Sequence, residues 1–370
     1  MAETKNPIKR LTIKGFKSLR DVNEFRLERL NVLIGANGSG KSNFVSYFRM
    51  LRELVEERLQ VWIAKQGGAE RILSFGSKVT PALESYIEFG LNGYKFSLEP
   101  TANDAFTFGD ERLFSAGVYY GPKWTSFGAG HLESNLKAKK KELGEGSEAD
   151  YCYSSISSWR VYHFHDTSDT AGVKKPGALH DNEYLRTDAS NLAAFLYLLR
   201  EQHSEVYQQI RKTVRLAVPF FDDFVLKPRE LQTGEQQIGL LWRQKGSDYA
   251  FWPSQLSDGS IRFICLVTAL LQPEPPSTII IDEPELGLHP YAITLLGSLL
   301  RSASQRMQVI VSTQSVPLVN EFSVDDLVVV EREQEATVFK RYDENEFADW
   351  LKDYTIGELW EKNILGGRPN

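Results

Sequence analysis

Three short stretches hold residues whose types and spacing suit phosphate chemistry. The first is "GANGSGKS", residues 35–42, which fills every fixed position of the G-x-x-x-x-G-K-[ST] pattern. Glycines let a backbone curl with its N–H groups pointing inward, which makes an anion cradle. A helix starting near Ser42 adds its positive end to that cradle. Gly35, Ala36, Asn37, Gly38, Ser39, Gly40, Lys41, Ser42 and Asn43 are the candidate phosphate-binding residues. Lys41 is expected to reach the β- and γ-phosphates and the Ser42 hydroxyl to bind Mg2+.

The second stretch is "TIIIDEP". Asp282 follows four apolar or β-branched residues, so it emerges at the end of a central strand, where α/β folds place ligands. It is the second candidate metal residue, beside Ser42. Glu283, next along, can polarise a water for in-line attack on a γ-phosphate. A solvated acidic turn is the plainer reading. The third stretch is "LSDGS", residues 256–260. Ser257, Asp258 and Ser260 all suit a helix N-cap. A serine and a glycine at a helix N-terminus also bind a γ-phosphate well, which makes Ser257, Gly259 and Ser260 further candidates.

The elements that must position these residues are legible as patterns. "LNVLIG" is an apolar run ending in glycine, the mark of a buried strand. Phe44, Phe48, Leu51, Val55, Leu59 and Trp62 recur at helical spacing and predict one apolar helix face. "KQGG" closes that helix. "SYIEFGL" and "YKFSLEP" alternate around an Asn-Gly pair and predict a hairpin. Residues 101–150 are polar and glycine-rich, and read as a surface loop or short helix. "WRVYHFH" reads as a strand. Residues 189–215 predict a helix capped by Ser190 or Asn191. "QIGLLWRQKGSDYAFW" reads as a hairpin. "IRFICLVTALL" reads as a helix. "TIIID", "MQVIVSTQS" and "DLVVVER" are buried strands separated by helical segments, the mark of a parallel sheet with crossover helices.

Bulk composition narrows the class. At 370 residues and 42% apolar, the chain can bury a large core or two smaller ones. The formal charge of −6 argues against non-specific coating of nucleic acid. Two cysteines without a CxxC pair fit a reducing compartment and no structural zinc. The N-terminal segment has no apolar signal core, and no apolar run approaches the length of a membrane span. A cytoplasmic protein with no membrane partner is expected.

The order P-loop, long intervening segment, "LSxGx", helix, then four apolar residues and Asp-Glu resembles the ATP-binding-cassette head of the RecF/SMC type. "IKRLTIKGFKSL" ahead of the P-loop resembles the RecF-type N-terminus. "VYHFHD", "NLAAFLYLLRE", "LSDGSIRF", "DEPELGLHP", "STQS" and "LGGRP" are similar to a bacterial predicted-ATPase branch near the OLD-family ATPase domain. The resemblance covers most of the chain. It implies an α/β P-loop NTPase fold of ABC-ATPase type: a mixed-sheet N-terminal lobe over 1–100, a helical insertion over 101–250, and a parallel-sheet lobe over 251–370. It implies ATP and Mg2+ as cofactors and ATP hydrolysis as the activity. It implies a homodimer or higher oligomer in which two heads sandwich ATP, so that Ser257, Gly259 and Ser260 act in trans. It also implies a separately encoded, nuclease-like effector, with DNA as a candidate ligand, in DNA transactions or anti-phage defence.

Two residues depart from the family pattern. Asp258 stands where many cassettes have glycine, and its side chain is expected to turn away and cap the helix. Gln314 stands where a histidine often contacts the γ-phosphate; glutamine donates a hydrogen bond but carries no proton charge. Hydrolysis is then expected to be slow, with Gln314 joining Glu283 and Lys41 as catalytic candidates. Gln66 is a candidate for the family's glutamine loop. A non-hydrolytic ATP-binding scaffold and a transporter motor subunit are the alternatives.

Other residues carry two readings each. His163, His165 and Asp166 suit a metal pair or a polar strand edge. His289 suits a subunit contact or a helix start. Lys137, Lys139, Lys140 and Lys141 suit DNA phosphates or solvated surface. Residues 350–363 suit a helix docked on the head or a partner surface, and Cys265 suits the core.

Overall fold

A computed structural model of the chain describes residues 7–117 and 121–367. The first six residues, together with Arg368 and Pro369 of the "LGGRP" motif, lie outside the described residues. Two six-stranded sheets carry the architecture. In the first, Leu30–Ile34 is buried at all five positions. Gln308–Ser312 and Leu327–Glu333 pair parallel on its two sides. Thr278–Asp282 and then Arg160–Tyr162 extend the sheet in parallel, and Ala336–Lys340 closes the other edge antiparallel.

A sheet covered on both faces favours apolar side chains along its strands, and these strands are mostly apolar, with Asn31, Thr278, Gln308 and Ser312 as buried polar exceptions. Ile279, Ile281, Val309, Val311 and Val329 join one core with the helices Asp258–Leu271 and Pro290–Ser304. Ile280, Ile310, Val328 and Val330 join the other with Phe44, Phe48 and Leu51 of the helix Lys41–Val55. The three buried strand patterns read from the sequence are therefore one parallel layer, with the ends of successive strands on the same edge.

The second sheet is antiparallel throughout. Its order runs Leu19–Arg26, Arg10–Phe16, Leu83–Glu88, Asn92–Pro100, Phe106–Gly117, Gly121–Gly128. The expected hairpin joins its third and fourth strands, but the turn is Gly90–Leu91, and Asn92 and Gly93 already belong to the hairpin's second strand. Its last two strands fall in 101–150, so the surface-loop reading of that segment is corrected. Phe106, Phe108 and Leu113 alternate into the core while their neighbours face outward. The basic cluster lies on the short helix Leu136–Leu143 that follows.

Several boundaries differ from expectation for local reasons. The apolar face over 44–62 is buried as predicted, but the helix breaks into Lys41–Val55 and Leu59–Gln66. Glu57, at φ 58°, turns the chain between them. The 189–215 helix is two, Leu192–Gln202 and Ser204–Ala217. Asn191 precedes the first without capping it. Its amide donates to the carbonyls of Asp181 and Tyr184 and its oxygen accepts from Arg186 N, which ties up the preceding loop instead. The "QIGLLWRQKGSDYAFW" hairpin forms only as one antiparallel bridge, Trp242 to Phe251, while its first arm splits between other partners. Gln236–Ile238 pairs with Arg229–Glu230 and Gly177–Ala178, and Leu241–Gln244 with Phe221–Val225; Trp242 bridges Phe251 further on. Near the C-terminus, Leu359 and Trp360 of Ile356–Glu361 are buried while Trp350 is exposed.

Candidate functional site

The parallel sheet brings the two widely separated motifs together. Asp282 pairs with Ser312, and Ser312 pairs with Leu33, two residues before the glycine loop. Two strand spacings, about 10 Å, therefore separate the acidic strand end from the loop's entry. Lys41, 5% exposed, donates to the carbonyls of Gly35 at 2.6 Å and Ala36 at 3.0 Å. Burial lowers its pKa, and the negative charges of Glu283, Asp282 and Glu285 oppose that shift. One lysine and three carboxyl groups thus share a single electrostatic environment.

The loop is braced from outside. Gly40, at φ 112°, ends it and opens the helix Lys41–Val55. A Cβ at Gly40 would collide with the Thr337 hydroxyl. That hydroxyl donates to Ser39 O at 2.9 Å and lies 2.7 Å from Ser18 Oγ, which can donate to it in turn. Asn43 Nδ2 donates to the same Ser18 Oγ at 2.7 Å. Ser18 and Thr337 carried no signal in the sequence, because each is a single polar residue whose partner lies far along the chain.

The acidic turn is held in an unusual conformation. Glu283 has φ 45°, a left-handed value that costs a non-glycine residue roughly 1–3 kcal/mol. Its N–H donates to Ser312 O at 2.8 Å. Its carboxylate Oε1 accepts from Gln314 Nε2 at 2.8 Å. Glu285, 8% exposed, accepts from Thr313 Oγ1 at 2.6 Å and from Gln314 N at 3.2 Å. Burial raises the Glu285 pKa, with the two hydrogen bonds opposing. Glu285 was passed over in the sequence as part of a solvated acidic turn.

The candidate signature residues cap a helix and pack on the acidic turn. Ser257 Oγ accepts from Ser260 N at 3.2 Å and lies 2.9 Å from Ser260 Oγ. Asp258 does not cap, contrary to expectation. It sits inside the first helical turn with its carboxylate 3.5 Å from Lys174 Nζ. Gly259 packs so closely on the following turn that a Cβ would collide with the Gly287 carbonyl. Arg262, one turn along, donates Nε to Phe164 O at 2.9 Å, Nη2 to His165 O at 3.3 Å, and Nη1 to Leu286 O.

His163 and His165 lie just past the strand Arg160–Tyr162, with ring centroids 3.9 Å apart. His165 Nε2 is 3.0 Å from the Asp282 carbonyl. Burial, with the charges of His165 and Arg49 behind it, lowers the His163 pKa. Among the described residues, no group of three or more His, Cys, Asp or Glu side chains is arranged to hold a metal. Through its contact with the Asp282 carbonyl, His165 buttresses the acidic strand end. His289 caps the helix Pro290–Ser304 through Nδ1. Lys137, Lys139 and Lys140 are ion-paired with Glu56, Glu142 and Asp150, as a solvated surface would be. Gln66 Oε1 is 3.5 Å from Lys17 Nζ, which donates to Ser46 Oγ on the P-loop helix. Cys265 is buried, and burial pushes its thiol up to about 12.

The donor set fits a magnesium–nucleotide complex. Ser39 Oγ, Asp282 Oδ1 and Ser312 Oγ are buried without a hydrogen-bond partner among the described residues. Unpaired buried polar atoms are costly unless a ligand or water meets them. Mg2+ typically takes one or two protein ligands and fills the rest from phosphates and water, which the pair Ser42 and Asp282 matches.

Comparison with known proteins shows the fold and the family. The head domain in "Crystal structure of the SmcHead bound to the C-winged helix domain of ScpA" superposes with a TM-score of 0.59 at 14% identity, covering 92% of this chain and 99% of that one. An Smc head domain from Pyrococcus furiosus, crystallised with an extended coiled coil and the C-terminal domain of ScpA, gives 0.58 at 12% identity, covering 94% and 99%. The fold is therefore that of an SMC-type ATPase head, a P-loop NTPase. The family model described as "AAA domain, putative AbiEii toxin, Type IV TA system" matches residues 30–320, and the chain belongs to that family. Urease accessory protein 2 of Cryptococcus neoformans is 38% identical over 84 residues, 22% of this chain, and the match spans only 6% of that protein's length. No helix among the described residues is long and apolar enough to cross a membrane.

Proposed function

We propose that this chain binds ATP with Mg2+ in the 35–43 cradle and hydrolyses it slowly. Glu283 orients the attacking water, and Gln314 orients Glu283. Lys41 and the loop N–H groups hold the phosphates, while Ser42 and Asp282 hold the metal. Bound Mg2+ bridges and neutralises phosphate oxygens. In this reading two copies pair head to tail, so that Ser257, Gly259 and Ser260 of one face the cradle of the other. ATP then favours the closed pair because only that state engages both halves of the pocket. The pair controls a separately encoded effector of nuclease type, acting on DNA or in defence; the toxin–antitoxin wording of the family description fits a chain that answers to a partner protein.

The observation that carries the reading is the 2.8 Å bond from Gln314 to Glu283, at a strand end level with the P-loop. Measuring ATP turnover by the wild type and by Glu283→Gln tests it. Turnover by the wild type alone, with ATP retained by both, supports hydrolysis. Tight ATP binding with no turnover in either supports the second reading, a non-hydrolytic scaffold. That reading draws on the same bond, since glutamine cannot accept a proton charge where the carboxylate is already engaged.

A further inference from the structure

Glu285 is a buried carboxyl group with no part in the chemistry described so far. It stands three residues after Asp282, in the turn that leaves the acidic strand. Its Oε1 draws two donors from a different element: the Thr313 hydroxyl at 2.6 Å and the Gln314 N–H at 3.2 Å. Thr313 and Gln314 are the first residues beyond the neighbouring strand Gln308–Ser312. Thr313 is fully buried, and its Oγ1 also accepts from Ser315 N at 3.0 Å. The two exits are already joined once, by Glu283 N on Ser312 O. Glu285 makes the join rigid and sets the direction in which the Gln314 side chain leaves the backbone.

We propose that Glu285 is the positioning residue that places the Gln314 amide against Glu283. The proposal rests on the hydrolytic reading above and deepens it. A side chain 8% exposed and held by two hydrogen bonds from one segment is a fixed post, whereas the Gln314 side chain is exposed and meets Glu283 through a single bond. Without the post, the Gln314 backbone loses its anchor and its amide samples rotamers that miss Glu283. The buried Oε2 of Glu285 has no partner among the described residues, so both bonds are concentrated on one oxygen. An amide oxygen at the same place can accept both bonds, so glutamine should replace glutamate here, and alanine should not.

The test compares steady-state ATP turnover and ATP affinity for the wild type, Glu285→Ala, Glu285→Gln, Gln314→Ala, the double variant Glu285→Ala/Gln314→Ala, and Glu283→Gln. Glu285→Ala is expected to lower kcat about tenfold, the worth of one hydrogen bond to a charged group, with ATP affinity unchanged. Glu285→Gln should restore most of that loss. The double variant should turn over no more slowly than Gln314→Ala alone, because both changes remove one interaction. If Glu285→Ala fails to fold, Thr313→Val removes the 2.6 Å bond from the other side and should reproduce the effect. Additive losses in the double variant, or full turnover by a folded Glu285→Ala or Thr313→Val, overturn the proposal while Glu283→Gln still defines hydrolysis. Absence of turnover in the wild type overturns both.

Discussion

Gln314 Nε2 donates to Glu283 Oε1 across 2.8 Å, although the two residues leave different strands and lie 31 positions apart in the chain. The bond exists because Thr278–Asp282 and Gln308–Ser312 run parallel and in register to their last residues. It turns an exposed carboxylate into an oriented one. Glu283→Gln is expected to slow ATP turnover by about 100-fold or more, the usual worth of a positioned general base. ATP binding should persist, because Glu283 is not part of the cradle. Single-turnover hydrolysis beside equilibrium ATP binding checks both statements.

Lys41 is expected to matter in the opposite way. In the proposed reading its charge would meet the phosphates, so Lys41→Ala should weaken ATP binding by roughly 10- to 100-fold, the range of a charge-assisted hydrogen bond. Calorimetric titration with ATP and Mg2+ measures this. Unchanged affinity would remove Lys41 from the phosphate site.

Gly40→Ala should damage the cradle without touching any ligand. Its φ of 112° is foreign to side-chain-bearing residues, and the new Cβ would meet Thr337. A stability loss of about 1–3 kcal/mol is expected from the backbone strain. Thr337→Ala in the same chain removes the nearest colliding atom but leaves Ser18 Oγ and the residue 337 Cβ, each 2.9 Å from the new Cβ, together with the strain, so the double variant should recover only part of the loss. Urea unfolding of the three variants reads this directly.

Glu285 predicts a pH dependence of stability. Its folded pKa is raised above the ordinary 4.5 by burial, so the folded state holds this proton more tightly than the unfolded chain does. Between 4.5 and the raised value the folded state binds more protons, and unfolding free energy falls as pH rises through that window. Stability from this group is full below 4.5 and lost above the folded value. Glu285→Gln has no such proton. The stability difference, wild type minus Glu285→Gln, should therefore decline with rising pH across that window in chemical unfolding curves. A difference that is flat with pH, or grows, contradicts the assignment.

Much of this site was legible because its parts are local. Residues 35–42 announce themselves through spacing, and Asp282 through the apolar run before it. The strands Leu30–Ile34, Thr278–Asp282 and Gln308–Ser312 are buried on both faces, so apolar residues dominate them, with Asn31 the one interior exception. What escaped was long-range. Ser18 and Thr337 brace the P-loop from positions 319 residues apart, and neither has neighbours that hint at it. Glu285 looks like any acidic turn residue until Thr313 is folded over it. Strands Phe106–Gly117 and Gly121–Gly128 carry little strand signal because glycine and polar residues are frequent in both, only Phe106, Phe108, Glu111 and Leu113 are buried in the first, and no position is buried in the second. The break at Glu57 uses a left-handed glutamate where the pattern offers no glycine.

The central claim is that each ATP is cleaved between two copies of the chain. Mixing two dead variants tests it most directly: Lys41→Ala, which spoils the cradle, and Ser257→Arg, which spoils the opposing helix start. Each alone should be inactive. An equimolar mixture should recover about one quarter of wild-type turnover, since half of randomly paired two-fold dimers hold one intact site of two. A mixture as inactive as its components, or a Ser257→Arg protein that hydrolyses ATP at the wild-type rate by itself, contradicts the shared site.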